Sequence, residues 1–358
     1  MGSKFRQCSM KWSASSQGLP HEHEGSMCKF ARRPVFGRNA RICLLCLMII
    51  GIFSLCFPLY KPLTISGVVE YTHLNDKRQP KQVFIRPKLK CKENSMKNTV
   101  VMVLNKASSL LRREAIRETW GHPAIQAKYN FSLYFVIGNE RNSDLTETDV
   151  RYGDILHVDV NENYFNITEK VIEAMNWATH ACPESSFFFK IDDDVYFNVE
   201  FLREIQNDEK YVPDNVILGD CLPETKPYRM TSKFRVSYDQ YPFQFYPPYC
   251  GGPGYVMTLN TARNIYSEML NTKTFEFEDV YVGIAAYKLG ITVKNVEYFI
   301  YAMDNYIHDF YINCAMITHN LTPEYIRKLW KDRHRRNNVE CSLLGKWKTL
   351  VMSSFQRN

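Results

Sequence analysis

Three short runs of this chain are apolar almost throughout: Thr99 to Leu104 (TVVMVL), Phe131 to Ile137 (FSLYFVI) and Phe187 to Ile191 (FFFKI). A strand with one wet face alternates polar and apolar residues. These runs do not, so they read as strands buried on both faces. Ile155 to Val160 (ILHVDV) adds a further strand. Between them, Leu110 to Trp120 is a charged amphipathic stretch stopped by Gly121, and Asn166 to His180 opens with Thr168 and Glu169. Both read as helices. Strands and helices alternating at this spacing predict an α/β domain with a mostly parallel sheet. Such sheets bind ligands beyond the carboxyl ends of their strands.

The FFFKI run ends directly in Asp192-Asp193-Asp194. Adjacent carboxylates repel, so the cluster needs water or a cation, and hard oxygen ligands suit Mg²⁺ or Mn²⁺. Side chains alternate along an extended segment, which sends Asp192 and Asp194 one way and Asp193 the other. The competing reading is a solvated acidic turn that caps a helix near Asn198. Glu278-Asp279 offers a carboxylate that can act as a general base, or a cap for a helix over Val280 to Leu289. Tyr246 to Tyr255 (YPPYCGGPGY) reads as a rigid turn, though its glycines match neither phosphate-loop pattern. Arg113 and Arg117, at i, i+4 spacing, can clamp a diphosphate or pair with Glu114 and Glu118.

Residues 42–60 (ICLLCLMIIGIFSLCFPLY) carry no charge over 19 residues, just enough helix to span a bilayer core. Five basic residues precede them, from Lys29 to Arg41, and Lys61 follows. The positive-inside rule then predicts a single-pass, type II membrane protein with a cytosolic tail, 1–41, and the bulk of the chain in a lumen. The polar segment 61–95 reads as a stem. Six cysteines (Cys91, Cys182, Cys221, Cys250, Cys314, Cys341) fall in the proposed lumenal part, as suits an oxidising compartment, and their pairing is open. Three sequons, Asn130, Asn166 and Asn320, are candidate N-glycosylation acceptors. The net charge is +7, of which residues 1–41 contribute +6 (eight basic, two acidic), so the folded part lacks the basic face of a nucleic-acid binder.

Six segments, in order, resemble the β1,3-glycosyltransferase family of galactosyl-, N-acetylgalactosaminyl- and N-acetylglucosaminyltransferases (glycosyltransferase family 31). They are Arg113-x-x-x-Arg117-x-Thr119-Trp120-Gly121, Asn166-Ile-Thr168-x-Lys170, Lys190-Ile-Asp192-Asp-Asp194-Val-Tyr-Phe-Asn198, Tyr246 to Tyr255, Glu278-Asp-Val-Tyr-Val-Gly283 and Ile317-Thr-His319. The resemblance implies a GT-A fold, a Rossmann-like mixed sheet flanked by helices, over a lumenal domain of residues 96–341 behind the membrane helix. Residues 342–358 would be a C-terminal extension. It implies Asp192, Asp194 and His319 as Mn²⁺ ligands, and Asp279 as catalytic base. Arg113, Arg117, Asp192 and Asp193 would lie on the nucleotide side. The expected activity is inverting, Mn²⁺-dependent transfer of a hexose, galactose foremost, from a UDP-sugar to a glycoprotein or glycolipid oligosaccharide in the Golgi membrane system. N-acetylglucosamine and N-acetylgalactosamine donors, and a non-catalytic Golgi relative, stay open as alternatives.

Overall fold

The computed structural model describes residue 48 and residues 63–88, 91, 97–141, 145–207, 211–296, 299–300 and 315–333. The chain divides into Met1–Lys61 and Pro62–Asn358, and every described residue except Met48 belongs to the second unit. The expected tail, membrane span (Met48 excepted), Cys314, Cys341 and C-terminal extension lie outside the described residues. Among those described, no helix is long and apolar enough to cross a membrane.

The expected buried strands form: β2 (Thr99–Leu104), β3 (Phe131–Asn139), β4 (Ile155–Asn161) and β5 (Phe187–Asp192). They lie parallel in the order β4-β3-β2-β5, the order of one half of a doubly wound sheet. β2, β3 and β5 lack alternation for the expected reason, whereas β4 alternates, with His157 half-buried and Asp159 and Asn161 exposed. Val100 and Met102 enter one core with the helix Ile167–Ala181, while Val101 and Val103 enter a second core with Trp120, Ile326 and Leu329.

The sheet is less parallel than the alternation of elements implies. β8 (Tyr249–Thr258) runs antiparallel to β5 and to β7 (Val216–Leu222), and β9 (Thr292–Asn295) lies parallel to β7. Edge strand β1 (Val83–Ile85) pairs antiparallel with β4, completing eight strands of mixed direction flanked by helices. The Tyr246 to Tyr255 segment is therefore corrected. From Tyr249 onward it is not a turn but a central strand, and its glycines serve close approach. A Cβ on Gly254 would stand 2.3 Å from Ile317 Cδ1.

The stem reading is corrected for residues 63–88. Val68 is fully buried, β1 joins the sheet, and Arg78 pairs with Glu169 on the helix Ile167–Ala181. Those side chains and strand hydrogen bonds tie the segment to the domain. Two disulfides form, Cys91–Cys182 and Cys221–Cys250. The first closes 91 residues of chain, a constraint on the unfolded state that stabilises by roughly 4–5 kcal/mol.

A small second sheet has the order β10-β11-β6, with β10 (Phe299–Ile300), β11 (Ile317–Thr318) and β6 (Tyr196–Phe197). Its register pairs Thr318 with Tyr196, and Leu321 N–H donates to the Asp194 carbonyl at 2.9 Å. A segment distant in sequence is thereby locked beside the aspartate run.

Candidate functional site

β2 and β5 end side by side, Leu104 opposite Asp192, where the parallel order reverses. The aspartate run emerges at this point; β5 ends at Asp192 and a turn at Asp193-Asp194 follows, so the expected separation of side chains is set by that turn and not by strand alternation. Asp193 turns to the β2 end, accepting from Asn105 Nδ2 at 2.6 Å and from an Arg112 guanidinium nitrogen at 2.7 Å. Asp192 and Asp194 face His319, with one ligand atom of each within 4.8 Å of the others.

That trio fits a divalent cation. It offers two carboxylates and one imidazole, all half-buried. Asp194 Oδ1 is buried and satisfied by no hydrogen bond; it lies 3.2 Å from His319 Nε2, an ion-pair distance without hydrogen-bond geometry. A buried acceptor left in this state is costly unless a cation completes it. Burial works against ionisation of Asp194, but His319 and then Arg112 outweigh it and lower its pKa. Burial pushes Asp193 up instead, against the pull of Arg112 and Asn105.

Glu278 and Asp279 open the helix Glu278–Lys288, which has no side-chain cap at Phe277. Glu278 caps nothing. It points inward to Lys190 Nζ at 2.7 Å and accepts from the Tyr255 hydroxyl at 3.3 Å. Asp279 Oδ1 accepts from Val280 N–H at 2.8 Å. Burial pushes the Asp279 carboxyl up, opposed by that N–H and by Lys190. Asp192, Asp194, His319, Glu278 and Asp279 all line one cavity of about 740 Å³, whose rim carries Tyr164, Lys226, Tyr228, Lys233 and Phe234.

The nucleotide-side reading of Arg113 and Arg117 is corrected. Arg113 is 0% and Arg117 1% exposed. Arg113 holds Asp149 through two nitrogens at 3.0 Å; Arg117 bridges Asp149 at 2.9 Å and Asp154 at 2.6 Å. All five Arg113 donors and three of the five of Arg117 are engaged inside the domain. Arg113 also donates to the Asn105 Oδ1 atom, so it steadies the residue that holds Asp193. The i, i+4 spacing marks the buried face of the helix Leu110–Glu118, whereas Arg112, one residue aside, is the arginine that meets the aspartates.

Sequence reasoning missed Arg112 and Lys190. Lys190 carried a signal, because a lysine in an otherwise apolar buried strand needs partners. Asn130 is half-buried with left-handed φ of 51°, and Asn166 donates to the Asn161 carbonyl at 3.0 Å. Asn320 is exposed and lines the cavity beside His319.

The family model described as Galactosyltransferase matches residues 111–297, more than half of the 358-residue chain. The chain is similar to human UDP-GalNAc:beta-1,3-N-acetylgalactosaminyltransferase 1, at 34% identity over 210 residues, 55% of this chain and 62% of that protein. The match thus spans under two thirds of that relative's length. It is similar also to human beta-1,3-galactosyltransferase 5, at 27% identity over 273 residues, 72% of this chain and 82% of that protein. A solved glycosyltransferase involved in the glycosylation of the major capsid of PBCV-1 covers 65% of this chain and 99% of its own at 12% identity, with a TM-score of 0.35, too distant a likeness to carry weight.

Proposed function

This chain belongs to the galactosyltransferase family, and from that premise we propose that it is an inverting β1,3-glycosyltransferase of GT-A type. It moves a hexose from a UDP-sugar to a hydroxyl of a glycan acceptor. The observation that carries the reading is the single cavity in which the Asp192, Asp194 and His319 cluster faces Asp279.

Asp192, Asp194 and His319 would hold Mn²⁺, which when bound neutralises charge on the departing diphosphate and replaces the acid of a glycosidase. The residues of the chain do the rest. Asp279 is the base: it accepts the acceptor hydroxyl's proton as that oxygen attacks the anomeric carbon from the face opposite the leaving group. An α-linked donor then gives a β product in one displacement. The raised pKa of Asp279 matches this task, since a carboxylate that holds a proton more tightly is a better base. Asp193 stays with Asn105 and Arg112 and keeps the run in place for its neighbours. The aromatic and basic rim, with Tyr228 and Phe234 among its residues, presents ring faces on which an acceptor sugar stacks.

The Glu278-Asp279-Val-Tyr-Val-Gly283 segment resembles galactosyl and N-acetylgalactosaminyl members alike, and we take galactose as the first donor. N-acetylgalactosamine is the second reading, favoured by the name of the relative at 34% identity. We place the domain in the Golgi lumen behind a type II anchor over residues 42–60, which rests on the uncharged span and its basic flank. Two disulfides agree with an oxidising compartment. The test is incubation of the detergent-solubilised chain with each UDP-sugar, Mn²⁺ and a panel of glycan acceptors, with products read by mass. A mass gain of 162 with UDP-galactose alone would be about one hexose and supports the first donor. A gain with UDP-N-acetylgalactosamine alone supports the second, and no gain with any donor overturns the enzyme reading.

A further inference from the structure

Lys190 lies on β5 directly opposite Tyr255 on β8, and its stem crosses that ring so that Nζ sits 5.9 Å from the centroid. The ammonium is 1% exposed and reaches three acceptors: Asp192 Oδ1 at 2.7 Å, Glu278 Oε1 at 2.7 Å and the Gly252 carbonyl. An ammonium has three donors, so none is left for a ligand. The two carboxylates belong to different halves of the cavity. Asp192 is a member of the cation cluster; Glu278 is the residue before Asp279 on the first turn of its helix.

We propose that Lys190 is a positioning residue that sets the place of the base Asp279 relative to the cation cluster. The inference rests on the glycosyltransferase reading above. The floor gathers Asp192, Asp194, Glu278 and Asp279 within one cavity, and carboxylates that share a cavity repel one another unless a cation lies among them. Lys190 supplies that cation from within the sheet. By gripping one oxygen of Asp192 it orients the other, and by gripping Glu278 it pins the start of the helix Glu278–Lys288. Gly252 is part of the device, since a Cβ there would stand 3.0 Å from Glu278 Oε1 and 3.8 Å from Lys190 Nζ. An alanine there presses Glu278 Oε1 aside by a few tenths of an ångström, and Asp192 lies more than 4 Å from the added Cβ.

Two variants separate the two grips. Lys190→Gln removes both; Gly252→Ala crowds Glu278 first, its added Cβ standing 3.0 Å from Glu278 Oε1 against 3.8 Å from Lys190 Nζ. Each is made in the full chain, checked for a cooperative thermal transition, and measured by calorimetry for Mn²⁺-dependent UDP binding and by steady-state kinetics for transfer. Lys190→Gln is expected to weaken Mn²⁺-dependent UDP binding about 10–100-fold, as loss of a group that orients a ligand does. It is expected to lower kcat about 100-fold, as an ångström-scale misplacement does. Gly252→Ala is expected to lower kcat while UDP binding stays at the wild-type level and the acceptor KM changes little. Folded variants that bind and turn over like wild type overturn the positioning role alone. Equal losses of binding and turnover in Gly252→Ala overturn it too, by pointing to general damage. A wild-type chain that binds UDP with Mn²⁺ yet transfers nothing to any acceptor removes the enzyme reading, and this inference with it.

Discussion

Behind the aspartate run, Asp149 meets two guanidinium groups with its side chain fully buried. Burial alone would raise its pKa; the hydrogen bonds and charge of Arg113, then Arg117, overcome that and bring it down to about 2. The folded value lies below the unfolded one, near 3.8, so the unfolded chain takes the proton more readily. The stabilisation is present above about pH 4 and is lost as pH falls toward 2, an effect of roughly 2 kcal/mol. Asp149→Asn should cost roughly 3–5 kcal/mol at pH 7, because it leaves two buried arginines short of charge. Urea unfolding at pH 7, 4 and 3 measures both effects: the variant should be less stable at pH 7 and lose less on acidification. Parallel pH profiles for the two proteins would refute this assignment. The same residues mark a limit of local pattern. Arg113 and Arg117 are plainly on one helix face, but nothing in their spacing says whether that face looks at a ligand or at Asp149 and Asp154. Those partners lie more than 30 residues away in sequence, so only the tertiary fold decides.

At the scale of elements, three of the four parallel strands were legible because burial on both faces leaves a short apolar run rich in β-branched and aromatic residues. β2 matches its expected bounds, and β3, β4 and β5 extend theirs by one or two residues. The antiparallel half was not legible. β8 is rich in glycine and proline, which signal a turn when taken alone. They are there because neighbours crowd the strand: β11 packs over Gly254, and Ile317 fills the space where a side chain would be. β11 carries His319 into place, so this contact links a glycine to the cluster of Asp192, Asp194 and His319. Gly254→Ala should push Ile317 and shift His319, weakening Mn²⁺-dependent UDP binding about 10-fold or more while leaving the two disulfides formed. Calorimetry on the variant checks it, and unchanged affinity would show that β11 yields without moving the histidine. Asp192 and Asp194 do share one side, but the strand stops at Asp192 and a turn places Asp194 there; the approach of His319 depends on a two-residue strand pairing that no local pattern announces.

In the molecule as a whole, two halves of one sheet meet at the site. The parallel half ends in the aspartate run, and the antiparallel half supports the helix that bears Asp279. The cavity between them holds groups that were separate candidates along the chain. General-base catalysis typically contributes 10²–10⁴-fold to rate, and it acts in the transition state rather than in donor binding. Removing the base should therefore leave the cation and nucleotide functions intact. The most direct measurement is a comparison of wild type and Asp279→Asn for sugar transfer and for Mn²⁺-dependent UDP affinity. If Asp279 is the base, transfer falls by about 10²–10⁴-fold with UDP affinity unchanged. Turnover retained within a few-fold of wild type would contradict that role.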